Sequence, residues 1–171
     1  GNVYAWRRKA ADCGAAIHTV VPPDELTRGA AWNERVLEAI DENTAVVTLP
    51  QVHWTDGTIF DLVAIGRRAR EGGAALVVDG TQSVGALPFD VSDIQPDALI
   101  VAAYKWLLGP YSTAVAYLGS RFDGGVPLEE TWLGRKGSED FESLVDYQDE
   151  YQPGTAIRYD MGERANFILL P

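Results

Sequence analysis

Residues 75–82 read Ala75-Leu76-Val77-Val78-Asp79-Gly80-Thr81-Gln82, and the rest of the chain is best understood outward from them. Four apolar residues in a row predict a strand at 75–78 buried on both faces, because a strand with one wet face alternates polar with apolar positions. Asp79 then places a carboxylate at the strand's carboxyl end, where Gly80 starts a turn. In an open α/β sheet that edge borders the ligand crevice. An aspartate after a strand most often serves as a turn or helix cap, so Asp79 alone defines no site.

The pattern repeats on either side. Apolar runs at Ala16–Val21, Thr44–Leu49, Ala98–Ala102 and Thr113–Leu118 predict further strands. Between 44–49 and 75–78 lies the clearest helix. Asp61 can cap it, Leu62, Ile65 and Ala69 mark one face, Arg67, Arg68 and Arg70 sit near its carboxyl end, and Gly72 stops it. A second helix, from about 31 to 40, spaces Trp32, Val36 and Ile40 helically, and a third spans 2–12. Strands alternating with helices predict an α/β fold with a parallel sheet.

The 171 residues predict one domain, and 46% hydrophobic with 23% charged side chains is ordinary for a folded chain. A net charge of −11 argues against nucleic acid, which needs a basic stripe. Cys13 is the only cysteine, and His18 and His53 are the only histidines, so no Cys/His metal cluster or disulfide framework is expected. No apolar run approaches the roughly 18–20 residues of a membrane span, and no charged-then-apolar leader opens the chain. A soluble cytoplasmic protein is the expectation. Residues 121–171 carry 5 basic and 11 acidic side chains, six of the acids between Glu139 and Glu150. They read as an acidic peripheral segment with a solvated face or helix. The chain opens in a helix and closes on Phe167-Ile168-Leu169-Leu170-Pro171, as expected for a piece of a longer polypeptide incomplete at both ends, or for an apolar end docked on its own domain.

Neither of the Gly-rich phosphate signatures nor the serine-hydrolase elbow occurs. What stands out instead is Lys105, one of three lysines with Lys9 and Lys136, inside Leu99-Ile100-Val101-Ala102-Ala103-Tyr104-Lys105-Trp106-Leu107-Leu108. Burial would disfavour its ammonium form and make it a nucleophilic amine. Equally, its stem could cross apolar surface with the head in water. A carboxylate and an amine at two strand ends are the pair that pyridoxal 5′-phosphate requires. The amine forms a Schiff base and the carboxylate keeps the pyridine nitrogen protonated.

Val78-Asp79-Gly80-Thr81-Gln82-Ser83-Val84-Gly85 and Asp97-Ala98-Leu99-Ile100-Val101-Ala102-Ala103-Tyr104-Lys105-Trp106-Leu107-Leu108-Gly109-Pro110 resemble the large-domain core of class V aminotransferases, pyridoxal-phosphate enzymes of fold type I. The similarity extends over nearly the whole chain. Asn2-Val3-Tyr4-Ala5-Trp6 resembles the helix after the family's ring-stacking residue, and Leu49-Pro50-Gln51-Val52-His53-Trp54-Thr55-Asp56-Gly57 its stretch beside the cofactor ring. The resemblance implies an α/β three-layer sandwich with a mainly parallel sheet, the large cofactor-binding domain of such an enzyme. It also implies that Lys105 carries the cofactor, Asp79 pairs with the pyridine nitrogen and Gln82 lies near the phenolic oxygen. By the same token Tyr104 reaches the phosphate, as in kynureninases, and Thr155 reaches the phosphate of a neighbouring subunit in a homodimer acting on an amino acid.

Kynureninases, cysteine desulfurases and isopenicillin N epimerase-like proteins share this scaffold, so transamination, desulfuration and C–C cleavage are all open. Ala102 stands where desulfurases place a phosphate-binding serine, Trp54 where they place a ring-side asparagine, and Cys13 lies in the wrong region for their persulfide cysteine. Tyr104 and the Gln51 segment lean toward the kynureninase or epimerase-like branches. The family's phosphate cup and ring-stacking residue precede residue 1. His53 is expected to pack or hold a loop, and Arg135 and Arg158, which could match a substrate carboxylate, are expected to form ordinary ion pairs. The alternative is a non-catalytic α/β fragment or dimerisation module that binds no cofactor.

Overall fold

Short β-rich runs separated by amphipathic segments have few ways to bury their apolar sides, and here they do so around one sheet. The computed structural model describes residues 2–24, 26–152 and 156–162. Helices α1 (Tyr4–Cys13) and α2 (Arg28–Glu38) precede strand β1 (Val46–Pro50). Helix α3 (Leu62–Glu71) leads to β2 (Ala75–Asp79), the short α4 (Val91–Ile94) to β3 (Ala98–Ala102), and β4 (Ala114–Leu118) follows. The sheet order is β1-β2-β3-β4. β2 pairs in parallel with both β1 and β3, setting Pro50 and Ile100 opposite Asp79. The fold is thus α/β with a mainly parallel sheet, as the alternation of elements predicts.

Alternating side chains divide the sheet into two faces. Val47, Leu49, Leu76, Val78, Leu99 and Val101 join Trp32 and Val36 of α2 and Leu62, Ile65 and Ala69 of α3 in one buried core. Helix α3 begins where expected because the Asp61 carboxylate accepts the Ala64 N–H at 2.9 Å. It closes at Gly72, whose N–H returns to the Arg68 carbonyl. Arg70 ties it to the end of α4 through the Ile94 carbonyl at 3.0 Å. The other face bears Thr48, Val77, Asp79 and Ile100 and is more open than continuous apolar runs predict. Val46 and Ile100 are 39% and 42% exposed there, and Thr48 Oγ1 donates to Asn2 Oδ1, just ahead of α1, at 2.9 Å.

One expected strand does not form. Residues 16–21 are irregular, with Ile17 and Val21 exposed. The Val20 carbonyl, which a ladder would have used, accepts the Trp32 indole N–H at 2.9 Å, and Pro22 and Pro23 follow with no N–H to extend pairing. Strand β1 starts at Val46 instead of Thr44 because the Thr44 hydroxyl is held by the Asp41 carboxylate at 2.9 Å in a turn. Helix α2 starts three residues earlier than its apolar spacing suggests, at Arg28.

The chain divides into two compact units, residues 1–116 and 117–171. The first holds the helices and the core. In the second, the described residues form short 3₁₀ turns at Ser120–Phe122, Trp132–Gly134, Phe141–Ser143 and Ala156–Tyr159. The acids between 139 and 150 are solvated as expected, without the helix that was the other reading of them. Among the described residues no helix is long and apolar enough to cross a membrane. Ile65, which is 0% exposed, anchors the core of the first unit. Ile65→Ala is expected to cost about 2–5 kcal/mol and Asp61→Ala about 1 kcal/mol, both read from urea unfolding midpoints.

Candidate functional site

The carboxyl edge of the sheet receives the ends of β2 and β3, the strands that carry Asp79 and precede Lys105. β2 ends on Asp79, and its Oδ1 accepts the N–H of Thr81 at 3.0 Å. The chain turns at once, with the N–H groups of Ser83 and Val84 on the Gly80 carbonyl at 3.0 and 2.9 Å. A Cβ at position 80 would lie 2.7 Å from the Val84 side chain and 2.8 Å from that of Leu99, so glycine lets these side chains close over the turn. Ser83 is fully buried under the turn. Among the described residues Oδ2 of Asp79 receives no hydrogen bond, which leaves that oxygen available to a ligand.

β3 ends on the same edge, three residues before Lys105. Its last N–H, that of Ala102, donates to Thr81 Oγ1 at 3.1 Å. Beyond it the chain closes a tight loop: the Gly109 N–H reaches the Ala103 carbonyl at 2.9 Å and the Leu108 N–H the Lys105 carbonyl at 3.1 Å. This loop abuts the Asp79 turn, because a Cβ on Gly85 (φ +98°) would lie 2.6 Å from the Trp106 carbonyl oxygen. Lys105 is half-buried, more open than its apolar flanks suggest. Its Nζ lies 5.7 Å from the Tyr104 ring centroid, and among the described residues it has no carboxylate partner. Tyr104 stacks on Tyr111 at 4.7 Å and 11°. Gln82 is half-buried in the Asp79 turn. Thr155 lies outside the described residues.

Adjacent strands run about 4.8 Å apart, so parallel pairing sets an acid and an amine on neighbouring tips of one edge. The family resemblance places a third residue there, Gln51, beside the cofactor ring without a role of its own. Gln51 follows Pro50, which lies opposite Asp79, and its Oε1 is buried without a hydrogen-bond donor, while its Nε2 donates to the Pro88 carbonyl at 3.2 Å. A buried acceptor of this kind calls for a partner. An open carboxylate oxygen and an amine free of an ion pair fit a polar aromatic cofactor better than a closed structural cluster. Nothing in composition singles out Gln51, since its orphaned state arises only from packing. A hydroxyl two residues after a strand-end acid is a recognisable turn former, and that is the signal Thr81 carries in the sequence.

The other candidates are committed elsewhere. His53 packs edge-on against Trp32 at 4.8 Å, and its Nδ1 is 2.9 Å from the Thr55 hydroxyl and 3.3 Å from Asp56. It holds a hairpin, as expected. Arg135 pairs with Glu130 and lies over Tyr151 at 4.0 Å. The two Arg158 terminal nitrogens donate to the Gly125 and Gln152 carbonyls, each at 3.2 Å.

The family profile described as Aminotransferase class-V matches residues 1–139. The chain belongs to the class-V aminotransferase family. Members of this family depend on pyridoxal phosphate. A probable cysteine desulfurase of Methanothermobacter thermautotrophicus is 34% identical over 140 residues, covering 80% of this chain and 34% of that protein. A kynureninase of Stenotrophomonas maltophilia is 35% identical over 127 residues, covering 71% of this chain and 30% of that protein. The chain thus spans about a third of the length of these curated relatives. The crystal structure of the cysteine desulfurase CsdA of Escherichia coli shares the fold, with a TM-score of 0.77 at 19% identity over 96% of this chain and 39% of that one.

Two substitutions have expected outcomes, Gly85→Ala at this edge and Asp56→Asn beside His53. Gly85→Ala forces a side chain into a positive-φ position against the Trp106 carbonyl, and a loss of about 1–3 kcal/mol in chemical denaturation is expected. The Asp56 carboxyl is held below its usual range, first by the Thr58 N–H and further by the charges of Arg28 and His53. A lowered folded-state pKa stabilises the fold above the ordinary carboxylate range and ceases to do so as pH falls through it. Wild type should therefore melt above Asp56→Asn at neutral pH, and the two melting curves should converge on acidification.

Proposed function

We propose that this chain carries the cofactor-anchoring part of a pyridoxal-phosphate enzyme that acts on an amino acid, with Lys105 as covalent anchor and Asp79 as partner of the pyridine nitrogen. The single observation that carries the reading is the pairing of an open carboxylate and an unpaired amine on adjacent parallel strand ends, within a chain of the class-V family. Bound pyridoxal phosphate supplies an electron sink for negative charge developing at the amino acid's α-carbon.

The chain's own residues supply the rest. Lys105 would hold the cofactor through Nζ, and the same amine, when not so engaged, would carry a proton at the substrate's α-carbon. Asp79 keeps the pyridine nitrogen protonated through Oδ2, and the Thr81 N–H on Oδ1 fixes the plane of the carboxylate. Gln82 donates to the phenolic oxygen and Tyr104 to the phosphate. Thr155 reaches the phosphate of a second subunit, which makes the enzyme a homodimer with shared sites. Family position supports these three roles. Tyr104 beside the lysine favours the kynureninase-like or epimerase-like branches over desulfuration, as do Ala102 and Trp54 in place of polar residues.

Three lysines make the test direct. The chain is incubated with pyridoxal phosphate, reduced with borohydride to fix any bound cofactor as a secondary amine, and its peptides are weighed. Label is expected to concentrate on Lys105 over Lys9 and Lys136 and to vanish in Lys105→Ala. Asp79→Asn removes a charged hydrogen-bond partner and should lower labelling at limiting cofactor by about tenfold or more. Equal labelling of the three lysines would establish the non-catalytic alternative instead.

A further inference from the structure

Thr81 touches both arms of the site, and the hydrogen-bond ladder shows why. The Gly80 N–H donates to the Ile100 carbonyl at 2.9 Å. In a regular parallel ladder the Gly80 carbonyl would then accept the N–H of Ala102. That carbonyl has instead turned inward to Ser83 and Val84, so the last β3 amide faces a gap. The Thr81 hydroxyl fills it, accepting the Ala102 N–H at 3.1 Å, while the Thr81 N–H donates to Asp79 Oδ1 at 3.0 Å.

We propose that Thr81 is a positioning residue for the cofactor: one end orients the Asp79 carboxylate, and the other holds the tip of β3 from which Lys105 extends. The inference rests on the reading of Asp79 and Lys105 as cofactor partners. Two hydrogen bonds and three peptide units then connect the carboxylate to the lysine, and neither bond requires a side chain from elsewhere. Such a clasp matters because a reacting group held within a fraction of an ångström reacts far faster than one that wanders. The side chain must accept a hydrogen bond at this position. Serine can do so, whereas valine matches threonine's shape and cannot.

The test uses the whole chain with borohydride trapping at limiting pyridoxal phosphate, together with hydrogen exchange of the Ala102 amide. Thr81→Val is expected to lower labelling of Lys105 by about three- to tenfold, to speed exchange at Ala102, and to leave labelling of Lys9 and Lys136 unchanged. Thr81→Ala, which adds no bulk, should behave as Thr81→Val, and Thr81→Ser should restore both signals. Wild-type labelling of Lys105 in Thr81→Val and Thr81→Ala, or a Thr81→Ser variant as poor as Thr81→Val, would overturn the inference while leaving the cofactor reading intact. A wild-type chain that labels Lys105 no more than Lys9 and Lys136 removes the cofactor reading, and the role of Thr81 with it.

Discussion

Parallel pairing of β2 with β3 is the constraint on which the rest of this molecule depends. Parallel strands end on the same edge, so whatever follows each strand is delivered to one place. Asp79 is the last residue of β2 and sits opposite Ile100, while Lys105 follows three residues after the end of β3. An antiparallel pairing of the same two strands would send the acid and the amine to opposite ends of the sheet. The core enforces the arrangement from below, where Leu76, Val78, Leu99 and Val101 are buried against α2 and α3. A slip of one residue would turn the buried pair of the shifted strand, Leu76 and Val78 or Leu99 and Val101, away from the core.

The loops then convert proximity into a defined geometry. Each uses a glycine at a close approach, Gly80 against the side chains of Val84 and Leu99 and Gly85 against the Trp106 carbonyl. Polar groups left over when the ladder ends are taken up by local side chains, the Thr81 hydroxyl foremost. Among the described residues the Gln51 side-chain oxygen Oε1 is buried without a donor, and Gln51 follows the residue opposite Asp79. The edge is therefore closed as backbone and open as chemistry, which is what a ligand crevice needs.

Family membership narrows the chemistry to pyridoxal-phosphate enzymes without selecting a branch, because relatives at 34% and 35% identity are named as a cysteine desulfurase and a kynureninase. Anchoring the cofactor is common to these reactions, and it is the part we propose for this chain. What separates them is which bond at the α-carbon stands perpendicular to the cofactor ring, a matter of side chains around the substrate and not of the sheet edge.

The sequence by itself was enough for the α/β class, for α3 with its Asp61 cap and Gly72 stop, and for four of the five strands, and it singled out Asp79 and Lys105 as the candidates on which the proposed function rests. Each of these depends on local periodicity or on an unusual residue in an apolar run, both written along the chain. Tertiary structure alone decided that residues 16–21 form no strand, since Trp32 takes the Val20 carbonyl from a distant helix. It also decided that one sheet face stays partly open, that Lys105 is half-buried, and that Thr81 links the two arms of the site. Those outcomes are settled by which hydrogen-bond partners and apolar surfaces lie across the fold from each residue. Separation in space, unlike order along the chain, is set only when the strands pair.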